Sequence, residues 1–341
     1  MKAPFERLEQ LVEAAPSGGE SKQRRIRATL IHNPASGRAS RHSGLSAACQ
    51  QLARHGWSVR MEATAGPGAA TTLAREAVRR GDDVVIVAGG DGTINEAVQA
   101  LAGTPVALGV LPVGTVNVWA REIGLPARAG AAAAALAEGE CRTIDLGRAG
   151  DRYFLLMAGA GFDGAVTGLV DPSIKRRMGR WAYVIAAARL ALRYGGTDAT
   201  MDIDGRIVRC RLLLAVIGNT RLYAGRFNLT AAIADDGLLD VVLFAGHRLW
   251  DDVPRLLKVL VGRAPREPGV MYFRTRRLHL SAVETMAVQV DGDYIGTTPI
   301  EFTVAPAALR VIVPRGARAP IFATPANMEH RRPDSGIARN A

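Results

Sequence analysis

The sequence predicts two joined parts: an α/β half built on a parallel sheet with helices on both faces, then a mostly antiparallel β-rich half. Three observations predict this. Short apolar runs alternate with helical spacing from Arg27 to about Leu111, the pattern of strand–helix–strand units. From about Arg142 strand patterns follow one another, interrupted by a helix only near Leu249. At 341 residues the chain is long enough for two domains of ordinary size.

Residues 1–24 read as a flexible leader ending in Ser17-Gly18-Gly19. Arg27 to His32 is the first expected strand, and Asn33-Pro34-Ala35-Ser36-Gly37 has the composition of a turn. A helix follows with Leu45, Cys49 and Leu52 facing inward and Gly56 as its stop. Trp57, Val59 and Met61 alternate as a strand. After a turn over Thr64 to Gly68, Leu73, Ala74, Ala77 and Val78 mark a helix ending at Gly81. Val84 to Ala88 is a continuous apolar run, as a strand buried on both faces requires. Ile94, Ala97, Val98 and Leu101 then recur at helical spacing, and Pro105 to Leu111 reads as the next strand.

In the later half Ile144, Leu146 and the stretch from Tyr153 to Ala158 read as strands. Met201 to Val208 carries a hairpin signal with Asp204-Gly205 as its turn. Arg211–Ile217, Phe227–Thr230, Leu239–Phe244, Val270–Leu280 and Thr285–Val290 continue the strands, with Leu249 to Val261 an inserted helix. A last strand near Leu309–Val313 is expected to return to the first half. The divisions are then 25–142 for the α/β half, completed by about 309–325, and 143–308 for the β-rich half, with 326–341 a flexible tail.

Chemistry is concentrated at Gly89-Gly90-Asp91-Gly92-Thr93, between the apolar strand and its helix. A strand feeding a glycine-rich turn and a helix N-terminus gathers backbone N–H groups that favour a phosphate. No Gly-Lys-Ser/Thr follows, so this is no Walker A loop, and it is not G-x-G-x-x-G. A plain turn needs one glycine for its backbone, not an acid held among three. A second glycine turn, Leu111-Pro112-Val113-Gly114-Thr115-Val116-Asn117, follows the next strand. In a parallel sheet it opens at the same edge, and two such turns together point to a nucleotide.

Composition excludes several classes. Three scattered cysteines make neither a disulfide framework nor a metal cluster and fit a reducing cytoplasm. The six histidines include no H-x-x-x-H pair, so a histidine zinc site is not expected. No apolar run approaches the ~18 residues of a spanning helix. Leu8, Leu11 and Val12 are too broken by acids to form a signal-peptide core. A net charge of +11 attracts polyanions such as nucleotides or an anionic membrane. Aromatic content of 5% argues against stacking platforms for single-stranded nucleic acid.

The motifs NPASG (33–37), GGDGTINE (89–96), LPVGTVN (111–117), GAGFDG (159–164), DDGLLDV (235–241) and VDGD (290–293) resemble the diacylglycerol kinase catalytic family, in its bacterial lipid-kinase branch. They span roughly residues 27–315 in order. The resemblance implies an NAD kinase- or phosphofructokinase-like α/β domain and a C-terminal β-sandwich, with ATP and a lipid meeting between them. It implies transfer of the γ-phosphoryl group of ATP to a lipid hydroxyl, with magnesium, at the cytoplasmic face of a membrane. Carried over by position, Gly89, Gly90, Asp91, Gly92, Thr93, Ile94 and Asn95 would contact the nucleotide, with Asn33, Thr64, Gly114, Thr115 and Asn117. Asp236 and the backbone carbonyls of Leu239 and Val241 would hold a magnesium ion. The family's base is a glutamate whose counterpart here is Asp293, one methylene shorter. Val118 stands where many relatives have aspartate. Asp91 is placed to hold a nucleotide-bound Mg²⁺ directly or through water, and Asp163 is a third cleft acid.

The lipid is left open among diacylglycerol, a sphingoid base, ceramide, phosphatidylglycerol and a polyprenol. The competing functions are an NAD kinase-like enzyme on a soluble nucleotide and a catalytically inactive lipid-binding relative. The expected partners are the lipid substrate, transiently an anionic membrane surface and, as an option, a second copy of the chain in a homodimer, with no nucleic acid. The membrane expectation rests on Lys175, Arg176, Arg177, Arg180, Arg189 and Arg193. Met178, Trp181, Ile185, Ala188 and Leu192 recur beside them at three-and-four spacing.

Overall fold

The computed structural model describes residues 6–7, 25–36, 44–169, 190–191, 193–223, 227–258, 267–317 and 319–323. Most of the expected leader, the tail from 326 and the basic stretch from Lys175 to Arg189 lie outside them. From the leader, β1 (Glu6–Arg7) pairs with a strand of the main sheet.

The first half is β2 (Arg27–His32), α1 (Gly44–Arg54), β3 (Ser58–Ala63), α2 (Ala69–Arg80), β4 (Val84–Gly89), α3 (Asp91–Leu101), β5 (Ala107–Pro112), α4 (Val118–Glu122) and α5 (Ala129–Ala137). Its strands are parallel in the order β5-β4-β2-β3. All six residues of β4 are buried, because strands flank it on both sides and helices pack against this sheet. β3 is the edge strand, paired with β2 alone. Cover runs out there, so Met61, expected inside, is 50% exposed, while Trp57 just before the strand is buried. On α1 the fully buried face is Leu45, Ala48 and Leu52, and Cys49 is only half-buried. α2 stops at Gly81 (φ 69°), whose left-handed backbone lets the N–H groups of Gly81 and Asp82 close onto Val78 and Ala77.

The second half is β6 (Glu140–Ala149), β7 (Arg152–Phe154), β8 (Met157–Gly161), α6 (Phe162–Leu169), β9 (Thr197–Ile203), β10 (Arg206–Gly218), β11 (Leu222–Tyr223), β12 (Phe227–Asn228), β13 (Leu239–Ala245), α7 (Leu249–Lys258), β14 (Val270–Thr275), β15 (Arg277–Ala282), β16 (Ala287–Val290), β17 (Asp293–Thr297) and β18 (Ile300–Val313). Its pairings are antiparallel. The β9–β10 hairpin turns on Asp204 (φ 48°) and Gly205 (φ 88°), both left-handed as a two-residue type I′ loop requires. Val270–Leu280, expected as one strand, is two. Asp204 accepts the N–H groups of Arg276 (3.0 Å) and Arg277 (2.9 Å), and the chain passes there from β13 to β9. α6 follows the GAGFDG glycines, where no helix is expected from sequence.

Two cores share the long strands. Leu214 and Val216 of β10 join the core of the first half, while Leu212, Ala215 and Ile217 face the core of the second. β18 binds both halves: it pairs antiparallel with β15 and β6, and in parallel with β5 at Arg310–Ala107 and Val311–Leu108.

Candidate active site

The two glycine turns touch. Gly90 caps α3 in extended conformation, and the Gly114 N–H donates to the Gly89 carbonyl at 3.0 Å. A Cβ on Gly114 would lie 2.5 Å from the Gly90 Cα, so only glycine allows the contact. Both turns follow adjacent strands, β4 and β5, at the same edge of the sheet. Asn33 at the end of β2 joins them, donating from its side-chain amide to Thr93 Oγ1 at 3.2 Å. Thr64 at the end of β3 stands at this edge too, its N–H on the His32 carbonyl. Thr115 is exposed on the second turn.

Four expected nucleotide contacts have other work in this arrangement. Asn117 is left-handed (φ 52°) and buried, and its amide folds back on Gly114 through bonds of 3.1 and 2.9 Å. Ile94 is buried in the core, so only its backbone can face a ligand. Asn95 is 0% exposed. Its Nδ2 donates to Asp291 Oδ2 at 2.7 Å and to the Tyr153 carbonyl at 3.2 Å. Asp91 Oδ1 accepts the Val118 N–H at 2.8 Å, so this carboxylate locks the second turn's helix to the first turn. Burial raises its pKa, and the backbone donors around it oppose that shift.

Asp293 begins β17 on the far side of the Asp291-Gly292 turn and is half-buried. Asp291 is buried. Its carboxylate accepts the N–H groups of Leu155, Leu156 and Met157, each at 2.9 Å, besides Asn95. Burial outweighs these four uncharged donors and raises its pKa to about 6. Asp163 accepts from Tyr223 Oη (2.9 Å) and Gln289 Nε2 (2.6 Å), and Gln289 Oε1 accepts the Gly292 N–H at 2.8 Å. Burial raises the pKa of Asp163, and burial beside that carboxylate pushes Tyr223 well above its ordinary value. Sequence reasoning missed Glu122. It is buried on α4 and accepts the N–H groups of Arg221 (2.8 Å) and Leu222 (2.6 Å), joining the second turn to the β-rich half. A glutamate in a short helix carries no sequence signal for that role.

The expected magnesium ligand Asp236 is engaged by protein groups. A hard divalent ion needs several free oxygen donors. Asp236 Oδ2 is paired with the Arg274 guanidinium, and Oδ1 accepts the Leu238 N–H at 3.1 Å. Arg274 also lies 3.5 Å from Asp240. Leu239 and Val241 belong to β13, where they pair with Thr275 and Phe273 of β14. Among the described residues no three His, Cys, Asp or Glu side chains are grouped to hold a metal. The positive charge at Asp236 is supplied by Arg274.

Comparison with known proteins places this arrangement. Residues 27–149 match the family described as the diacylglycerol kinase catalytic domain, and 157–313 match the YegS C-terminal NAD kinase beta sandwich-like domain. The chain is 31% identical to the diacylglycerol kinase of Bacillus subtilis (strain 168) over 85% of its own length and 97% of the relative. It is 29% identical to that of Staphylococcus carnosus (strain TM300), over 86% and 97%. A crystal structure of a diacylglycerol kinase from Bacillus anthracis str. Sterne shares its fold at 20% identity and a TM-score of 0.68, covering 87% of this chain and all of that one. Another structure from the same organism reaches a TM-score of 0.75 at 22% identity, over 88% of this chain. The second half is thus a β-sandwich-like domain, and the chain belongs to the diacylglycerol kinase catalytic family, a family of lipid kinases.

Proposed function

We propose that the protein transfers the γ-phosphoryl group of ATP to the hydroxyl of a diacylglycerol. The observation that carries this reading is the pair of glycine turns in backbone contact at one sheet edge, opening onto α3. Gly92 strengthens it. A Cβ there would meet nothing within 4 Å, so the fold does not need this glycine. A phosphate lying against the turn does, because it must approach the backbone closely.

In the reaction the lipid hydroxyl oxygen attacks the γ-phosphorus in line, the bond to the β-phosphate oxygen breaks, and ADP leaves. The hydroxyl proton passes to Asp293, the acid that ends the VDGD motif. The protein's work is to hold the phosphates and place the hydroxyl. Magnesium would enter as the ion the nucleoside triphosphate carries. The relatives named diacylglycerol kinase support that lipid before the others.

The test is incubation of the purified protein with ATP and a total lipid extract, with NAD in a parallel reaction, and mass spectrometry of the products. Phosphatidic acid is the expected product. Phosphate on NAD, or on no lipid, overturns the reading. Among the described residues no helix is long and apolar enough to cross a membrane. The lipid would then be met by transient docking on an anionic surface through the basic stretch near 175–193. Each base there contributes about 1 kcal/mol, giving a salt-sensitive encounter. Unchanged co-sedimentation with anionic vesicles after Lys175, Arg176, Arg177 and Arg180 become Gln would remove that contact. Pairing of two copies into a homodimer is decided by the protein's mass in solution.

A further inference from the structure

Asp293 stands on a hairpin at the edge of the main sheet, with α6 packed against it. Val290 and Asp293 face each other across a two-residue turn, Asp291 (φ 47°) and Gly292 (φ 87°), in the type I′ pattern. Among the described residues β17 lies at the end of the main sheet, paired with β16 alone. A hairpin at a sheet edge flexes unless its tip is held.

Two braces hold this tip. One comes from its own half: Gly292 N–H to Gln289, Gln289 to Asp163, Tyr223 to Asp163. The other reaches the first half. Of the four donors on the Asp291 carboxylate, three are backbone groups of the segment joining β7 to β8. The fourth is the Asn95 amide, on α3. Asn95 lies four residues beyond Asp91, about 6 Å along the helix axis. Its orientation is fixed in turn. Gln99 Nε2 donates to Asn95 Oδ1 at 3.3 Å and to the Tyr153 carbonyl at 2.8 Å, and Gln99 Oε1 accepts the Tyr153 N–H at 3.1 Å.

We propose that Asn95 and Asp291 form a positioning tie, in which the helix that opens at the phosphate-cradling turn grips the hairpin tip and so sets where Asp293 stands. The proposal rests on the kinase reading for the roles of the turn and of Asp293. It reassigns Asn95 from nucleotide contact to alignment of the base. In-line transfer is sensitive to such alignment, since a displacement of about 1 Å at the reacting groups can cost ~10²-fold in rate.

Asn95→Ala leaves Asp291 its three backbone donors and removes its link to α3, together with the bonds of Asn95 to the Tyr153 carbonyl, Gln99 and Arg152. The expected result is a fall in kcat of roughly tenfold or more, with the KM for ATP within about twofold of wild type. On an Asp293→Asn background the same change has little further effect, because the tie acts through Asp293. A raised KM for ATP with unchanged kcat overturns the tie, and so does a full additional loss on the Asp293→Asn background. Hydrogen exchange of residues 287–297 gives a readout independent of turnover: the variant exchanges faster there than wild type, and equal rates overturn the tie. If wild type phosphorylates no lipid, the kinase reading fails, while the exchange comparison still decides the tie. Should Asn95→Ala not fold, Asn95→Ser replaces it, filling part of the space with a hydroxyl too short to reach Asp291.

Discussion

Asp291 and Asp293 stand two residues apart, on either side of Gly292 at the hairpin turn. Asp293 begins an edge strand and is half-buried. Asp293→Asn should lower phosphatidic acid formation by about 10²-fold or more, the usual scale of a general base. Asp293→Glu should keep substantial activity, because relatives use glutamate there. Wild-type turnover in the Asn variant places the base elsewhere. The Asp291 carboxylate is held by four donors, and desolvation raises its pKa to about 6 from 3.8. The folded state therefore holds its proton more tightly than the unfolded chain does. That stabilisation is complete below pH ~4 and is lost as the pH rises to about 6, on the order of 3 kcal/mol in all. Urea titrations between pH 4 and 7 should show wild type losing stability by that amount relative to Asp291→Asn, which has nothing to titrate. Parallel curves would mean the carboxylate is not perturbed. Sequence alone ranks both acids as candidates, since V-D-G-D shows two carboxylates at a turn but not which one the rest of the chain encloses. Asp91 teaches the same point: its place among glycines is legible, its bond to Val118 is not.

At the scale of elements the two glycine turns separate a fold requirement from a ligand requirement. Gly114 has no room for a methyl group, with the Gly90 Cα, Asn117 Oδ1 and the Gly89 carbonyl all within 3 Å of its Cβ position. Gly92 lies exposed in the first turn of α3 with open space in that direction. Gly114→Ala should cost several kcal/mol of stability, as forced overpacking does. Gly92→Ala should melt no lower than wild type, and up to about 1 kcal/mol higher from helix propensity, while raising the KM for ATP. Thermal melting and ATP kinetics on the two variants check this, and a wild-type KM in Gly92→Ala removes that glycine from the phosphate site. The turns and the strands feeding them are legible because glycine and β-branched apolar runs are strong local signals. α5 was not, although it packs against α1 and β5. Its run of alanines has high helix propensity but no polar face, so no period stands out. The break between β14 and β15 was hidden for a different reason. It is made by Asp204, about seventy residues earlier, and tertiary contacts of that kind leave no local trace.

Across the whole molecule the first half does not close its core alone. The first core holds Leu30, Ile86 and Val311 together with Leu214, Val216 and Val242 from the β-rich half. β18 runs through both, and where it crosses it loses regular pairing between Ala305 and Leu309, with Ala307 left-handed at φ 51°. Asp145 on β6 secures that crossing. One carboxylate oxygen accepts the Ala307 N–H at 2.8 Å, and the other accepts the Gly237 N–H of the DDG turn at 2.6 Å. Asp145 is itself 4% exposed, so these bonds are made where water competes little. Its removal strands the Gly237 donor and weakens the one at Ala307, which is exposed and can turn to water. Asp145→Ala should therefore cost on the order of 2 kcal/mol. Because the cores interlock, that loss should appear throughout the molecule and not only beside the mutation. The slowest-exchanging amides of β4 and of β10 should report one common unfolding free energy in wild type, and both should fall by the same amount in the variant. If β10 weakens while β4 keeps its protection, the halves unfold separately, and β18 is a tether between two domains and not a shared strand of one cooperative unit.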